Sequence, residues 1–182
     1  MQHNVIFDKE VIAKTLIRLA TDIEVHYGLA HEEHNLDRLI VVVLMDGAFM
    51  FAADLLRALS VDIELVFVGA ASYGHAIISS GDVQITMCSK EELVNLEGAH
   101  VLVIDDIFDT GQTIAKVISV IKDACTPASI TSCCLLYKKS VTQESPHFYG
   151  LIVEKEQFVY GYGLDLFGKY RHLPTICEYQ QA

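Results

Sequence analysis

The sequence predicts an α/β fold: a central, mostly parallel sheet flanked by helices. Three observations predict it. The runs 39–45 (LIVVVLM) and 101–104 (VLVI) are apolar at every position and rich in β-branched residues, as a strand covered on both faces requires. Amphipathic helical patterns alternate with the strand-like segments, which builds parallel strands joined by right-handed crossovers. The chain has 182 residues, of which 52% are hydrophobic and 20% charged, so it can fill the core of a single domain and is not globally disordered.

The elements follow in order. In 8–27, Ile12, Leu16, Leu19, Ile23 and Tyr27 recur at spacings of three and four, with Asp8 placed to cap the helix. A strand at 39–45 leads to a helix over 48–59 carrying Phe51, Leu55, Leu56 and Leu59. A second strand covers 64–72. The segment 73–88 fits neither period and reads as a long loop, a length usually reserved for function. Ser89 and Glu92 have capping-box spacing before Leu93 and Leu96. A strand over 100–107 feeds an amphipathic helix over 111–123, and further strands cover 129–137 and 148–154. The three prolines, Pro127, Pro146 and Pro174, each fall between elements.

Composition narrows the function. Thirteen Lys and Arg face 24 Asp and Glu, a net charge of −11, so a nucleic-acid or anionic-membrane partner is not expected. The longest apolar run, 39–45, is far short of the roughly 18 residues a membrane span needs. The N-terminus lacks a basic start followed by an apolar stretch, so no secretory signal is read. The cysteines, 88, 125, 133, 134 and 177, are odd in number and lack a Cys-x-x-Cys pair, which argues against a disulfide framework and a zinc site. A reducing, cytoplasmic setting is expected. On a strand, Cys133 and Cys134 point to opposite faces as core residues. HEEH (31–34) lacks the spacing of a helical metal pair and reads as a polar loop.

In open α/β sheets, ligands sit beyond the C-terminal ends of the strands. After the run 101–104 comes DDIFDTGQT (105–113). Asp105, Asp106 and Asp109 are read as three acids in a strand-to-helix turn, and Thr110, Gly111, Gln112 and Thr113 open the helix. Free N–H groups and threonine hydroxyls at a helix start suit a phosphate. Carboxylates cannot bind phosphate directly. They bind sugar hydroxyls, or a divalent cation that itself meets phosphate. The combination implies a sugar phosphate with Mg²⁺.

VLVIDDIFDTGQT (101–113) closely resembles the phosphoribosyl-pyrophosphate (PRPP) signature of type I phosphoribosyltransferases. DGAFMFAADLLRAL (46–59) resembles that family's pyrophosphate turn and following helix, and ASYG (71–74) the start of its mobile catalytic loop. LLYKK (135–139) and FVYGYGLD (158–165) resemble purine-binding segments, and KYRHLP (169–174) the closing segment. The likeness covers nearly the whole chain in the right order. It points to the bacterial type of hypoxanthine-guanine phosphoribosyltransferase.

That resemblance implies the type I phosphoribosyltransferase fold, as one domain over 1–182 with a small hood built from the N- and C-terminal segments. It implies purine salvage: transfer of phosphoribosyl from PRPP to hypoxanthine or guanine, giving IMP or GMP and pyrophosphate. By the resemblance, Asp105 and Asp106 hold the ribose hydroxyls and Mg²⁺, and Asp109 is the acid/base group facing purine N7. Thr110, Gly111, Gln112 and Thr113 cradle the 5′-phosphate. Lys138 meets the 6-oxo group, Phe158 stacks on the base, the Val159 backbone reads its edge, and Asp165 binds a second Mg²⁺. Asp46, Gly47 and Arg171 meet pyrophosphate. Ser72 and Tyr73 close over the transition state, with Gly74 and Gly81 as flexible points of the lid. A homodimer or homotetramer is implied as well.

The sequence departs from the family pattern in places. Asp105 stands where Glu is common, Asp46 where a basic residue is common, Phe108 where an aliphatic one is, and Tyr160 where Val is. Tyr162 is read as a core aromatic, and Lys139 as a solvated neighbour of Lys138. Asp165 lies inside an apolar stretch, so it needs a ligand or partner. Two other readings stay open: a transferase preferring another base such as xanthine, and a non-catalytic nucleotide-binding regulator of the same fold. A regulator acting on nucleic acid needs a basic surface, which net −11 disfavours. The enzyme reading therefore predicts no salt-sensitive RNA or DNA binding. Electrophoretic mobility across a salt series checks this, and a shift that salt removes would favour the regulator.

Overall fold

The computed structural model describes residues 3–28, 38–72, 83–86, 93–139 and 145–180, with the backbone alone at 70–72 and 83–86. Strand β1 (Asn4–Phe7) precedes helix α1 (Lys9–His26), then β2 (Leu39–Met45), α2 (Phe49–Ala58), β3 (Glu64–Ser72) and β4 (Val83–Thr86). Strand β5 (His100–Phe108), helix α3 (Gln112–Ala124), β6 (Ser129–Lys138), β7 (Phe148–Val153), β8 (Val159–Tyr160) and β9 (Ile176–Glu178) follow.

The main sheet has the order β4-β3-β2-β5-β6-β7. Five strands, β3 to β7 across the sheet, run parallel, and β4 pairs antiparallel with β3 at the edge. The apolar runs that predicted buried strands lie at β2 and β5 in the sheet centre, and residues 39 to 44 and 101 to 104 are all buried. Alternation sorts β2 between two cores. Leu39, Val41 and Val43 pack with Ile12, Leu19 and Ile23 of α1 and Phe51 and Leu55 of α2. Ile40, Val42 and Leu44 pack with Ile114, Val117 and Ile121 of α3 on the other face. Cys133 and Cys134 divide between the same two cores, as strand geometry predicts.

The caps agree with the local sequence. The Asp8 carboxylate accepts hydrogen bonds from the N–H groups of Glu10 and Val11 at 2.9 Å and so starts α1. The segment 73–88 is corrected in part: it contains β4, a strand too short for its period to stand out. The other strand and helix bounds differ from expectation by about one residue, the usual uncertainty at element ends. Tyr73, Gly74, Gly81, Cys88, HEEH and the Ser89/Glu92 pair lie outside the described residues.

A second, three-stranded sheet was not read from the sequence. Its order is β1-β9-β8, all antiparallel, and it joins Val5 to Cys177 and Tyr160 to Cys177. The two ends of the chain therefore meet beside the main sheet.

Helix α1 approaches β7 closely. A β carbon at Gly150 would lie 2.6 Å from the Leu135 carbonyl oxygen and 2.7 Å from Thr15 Cγ2. Arg18 donates to the carbonyls of Tyr149 and Gly150 at 3.0 and 2.7 Å across the same seam. Gly150→Ala is expected to destabilise the fold by about 1–3 kcal/mol, because the backbone oxygen of β6 cannot rotate away. Urea unfolding measures it, and an unchanged midpoint would refute the tight packing.

Candidate active site

The site gathers at the C-terminal ends of β2, β5 and β6. Pairing of β5 with β6 continues to Asp105↔Cys134, Ile107↔Leu136 and Phe108↔Tyr137. This corrects the reading of three acids in one turn: Asp105 and Asp106 belong to the strand, and Asp109 alone lies in the turn. The two strand carboxyls are half-buried and adjacent. Asp105 Oδ1 accepts from the Asp106 N–H at 2.9 Å, and Asp106 Oδ1 from the Ile107 N–H at 2.7 Å. Burial, reinforced by the neighbouring Asp106 charge, pushes the Asp105 carboxyl well above the usual range. Burial also raises Asp106, against the opposing pull of its hydrogen bonds and Arg171. A site that keeps two carboxyls close and under-solvated favours a cation between them.

Beyond Asp109 the chain turns through Gly111, whose φ of 77° suits glycine. A β carbon there would also lie 2.5 Å from the Phe108 ring. Gly111 begins α3 with no side-chain cap, so the first N–H groups of the helix are not capped by a side chain of that residue. Thr110 Oγ1 accepts from the Gln112 N–H at 3.4 Å. Thr110 and Gln112 are exposed, and Thr113 is half-buried beside them. Lys138, the last residue of β6, reaches Asp109: Nζ to Oδ2 is 3.2 Å. The lysine side chain is 14% exposed and the aspartate 51%, so a sheltered cation faces an open carboxylate.

At the end of β2 the Met45–Asp46 peptide is cis. Asp46 is exposed, and the backbone of Gly47 lies against Asp106: a β carbon at Gly47 would be 1.8 Å from Asp106 Oδ2. The segment after β8 closes over this turn. A β carbon at Gly163 would be 2.2 Å from the Gly47 carbonyl oxygen. Arg171 donates to the Gly163 carbonyl at 2.7 Å and pairs with Asp165 at 2.9 Å. The other Asp165 oxygen accepts from the Gly168 N–H at 2.7 Å, so the acid has the partners its apolar surroundings require. Val159 is buried in β8. Phe158 beside it is half-buried and meets the Tyr179 ring edge-on, with centroids 6.2 Å apart. Ser72 ends β3, in register with Val83 of β4.

The geometry thus brings Asp105, Asp106, Gly47 and Arg171 together, and Asp109 with Lys138. Residues 13–165 match the family model for the phosphoribosyl transferase domain. The chain belongs to the phosphoribosyltransferase family. It is 38% identical over 147 residues to the hypoxanthine phosphoribosyltransferase of Haemophilus influenzae, covering 80% of each chain. A relative of the same name from Escherichia coli is also 38% identical, over 76% of each chain. Among solved structures, a substrate-bound variant of the Trypanosoma cruzi hypoxanthine phosphoribosyltransferase superposes with a TM-score of 0.81 at 30% identity, covering 97% of this chain and 94% of that one. The hypoxanthine-guanine phosphoribosyltransferase of Bacillus anthracis gives 0.82 at 27%, over 99% and 100%. These likenesses agree with the fold and family read from the PRPP-like signature.

Sequence reasoning missed one contact of this phosphoribosyltransferase. Tyr162 is buried, but its hydroxyl donates to Asp54 Oδ2 of α2 at 2.5 Å. The partner lies 108 residues away. The only local signal was an aromatic between two glycines.

The two strand acids make a prediction about pH. A carboxyl raised in the folded state costs stability as pH climbs from its unfolded value, about 3.9, through its folded one. Asp105→Asn is therefore expected to raise the melting temperature of the ligand-free protein at pH 8 and to leave it unchanged near pH 4. Calorimetry at both values tests this, and a gain independent of pH would contradict it.

Proposed function

We propose that the protein transfers the 5-phosphoribosyl group from PRPP to hypoxanthine or guanine, giving IMP or GMP and pyrophosphate in purine salvage. The observation that carries the reading is the Asp109–Lys138 contact of 3.2 Å beside the raised Asp105–Asp106 pair. It sets the Asp109 carboxylate and the Lys138 ammonium side by side, which supports reading them as an acid/base group and a cation for the 6-oxo group, next to acids suited to a sugar and a metal.

The reaction needs little from the protein besides placement and charge. A purine nitrogen bonds to the anomeric carbon as the carbon–oxygen bond to pyrophosphate breaks, and the leaving oxygen keeps the electron pair. The centre between them is oxocarbenium-like, so the nearby carboxylates stabilise it. Asp109 takes the proton from purine N7 as the base attacks. Lys138 holds the 6-oxo group, Phe158 stacks on the ring and the Val159 backbone reads its edge. Thr110, Gly111, Gln112 and Thr113 receive the 5′-phosphate at the start of α3. Gly47, Asp46 and Arg171 would meet pyrophosphate, and Ser72 and Tyr73 would close over the transition state.

Magnesium fits this donor set. Among the described residues, no three acidic, His or Cys side chains converge to cage an ion. Magnesium does not ask for a cage, since it keeps water and substrate oxygens in its shell. Asp105 and Asp106 would hold one ion on the ribose and pyrophosphate. Asp165, which pairs with Arg171, would face a second. Magnesium held there would supply positive charge for the departing pyrophosphate.

The same family membership supports a single domain over 1–182, with the sheet of chain ends as its hood, acting in the cytoplasm as a homodimer or homotetramer. The acidic balance supports small-molecule substrates over nucleic acid. No helix among the described residues is long and apolar enough to cross a membrane.

Nucleotide formation from hypoxanthine, guanine and xanthine, each with PRPP and Mg²⁺, tests the reading and ranks the bases. Asp109→Asn should lower kcat about 100- to 10,000-fold with little change in KM, the range for loss of a positioned acid/base group. A wild-type protein that turns over none of the three bases would end the salvage reading.

A further inference from the structure

The segment 161–163 is unusual in its backbone and in what it touches. Gly161, Tyr162 and Gly163 all have positive φ, at 95°, 52° and 104°. Glycine adopts such values freely, whereas a tyrosine there is uncommon. The ring is buried in the core between the sheet, α1 and α2. Its hydroxyl reaches outward to Asp54 Oδ2 at 2.5 Å. Asp54 lies on α2, the helix that follows directly from the turn at Asp46 and Gly47. One residue on, Gly163 rests on the Gly47 carbonyl with no space for a β carbon, and Gly47 rests on Asp106 in the same way. Arg171 fastens the Gly163 carbonyl from the other side. The strip that begins with Phe158 and Val159 thus meets the pyrophosphate turn by backbone contact at Gly163, and the helix that follows the turn by a side-chain hydrogen bond at Tyr162.

We infer that Tyr162, through its hydrogen bond to Asp54, is a positioning residue that couples the purine-binding strip to the pyrophosphate turn, so that occupancy of one organises the other. The inference rests on the reading of these two segments given above. Neither Tyr162 nor Asp54 is assigned a contact with substrate. Their effect is on the spacing of groups that have one. The Gly47–Gly163 contact is non-directional, and the Tyr162 ring and Leu164 share a core with Ala48 and Phe51. The Tyr162 hydroxyl adds a directional tether from the strip to α2. A displacement of α2 or its turn on binding pyrophosphate then moves residues 159–165 with it. Arg57 also pairs with Asp54, and its side chain is 74% exposed. It serves as a control for loss of charge around Asp54.

The experiment is a set of steady-state measurements on the full chain, with hypoxanthine and PRPP varied and Mg²⁺ saturating. The quantity read is the fall in KM for hypoxanthine between low and saturating PRPP. The wild type should show a fall on the order of fivefold or more, the range of ordinary coupling between sites. Tyr162→Phe keeps the ring and its packing and should remove most of that fall. Asp54→Ala should do the same, and the double variant should be no worse than either single change. Asp54→Asn retains an acceptor oxygen and should restore the coupling, while Arg57→Gln should leave it intact. A merely structural role would lower the melting temperature of the variants and leave the ratio of KM values alone. Either that pattern, or a wild type with no PRPP-dependent fall, overturns the inference while leaving the salvage reading standing. A wild type that forms no nucleotide overturns both.

Discussion

The site is held together at Gly47, where three parts of the chain meet with no room for a side chain. The carboxylate of Asp106 lies on one side, and the Gly163 backbone lies against the Gly47 carbonyl. Strand β5, the turn after β2 and the strip after β8 are thereby fixed against one another at van der Waals distance. The remaining features depend on that stack. Arg171 can reach the Gly163 carbonyl and Asp165 together because the strip is pressed onto the turn. The strand acids stay sheltered because the turn covers one of them. Interiors pack like solids and do not yield continuously, so a shift at any of the three is felt by the other two.

The parallel sheet supplies the frame for this stack. Strands β2, β5 and β6 end on the same side because crossovers through helices bring each new strand in with the same direction. Each strand end then contributes a different chemistry: a turn of bare backbone, a pair of acids, a lysine. Function sits where the sheet stops because there the backbone groups are no longer committed to neighbouring strands.

Much of this was legible in the sequence, for identifiable reasons. Buried parallel strands must be apolar on both faces, so 39–45 and 101–104 could be read without a partner in view. The acids, threonines and glycine of 105–113 lie within nine residues, so their shared location follows from chain connectivity. The pair Asp109 and Lys138 was reached through separate motifs, and the contact between them is a product of the β5–β6 register. What escaped reading is long-range. Strands β1, β8 and β9 are two to four residues long, and Asn4 pairs with Glu178, so no local period reveals them. Strand β4 is four residues inside a segment of mixed pattern. Tyr162 gave the signal of a core aromatic, which it is. The partner of its hydroxyl is set by the fold and by nothing in its neighbourhood.

The sheltered acids have a consequence for the protein's life in a cell. A ligand-free molecule must confine two carboxyls in poor solvent, and anything that bridges them selectively stabilises the folded form by mass action. Unfolded chains are removed continuously by proteases, and small differences in stability alter abundance several-fold. A ligand that bridges the two carboxyls would therefore slow that removal.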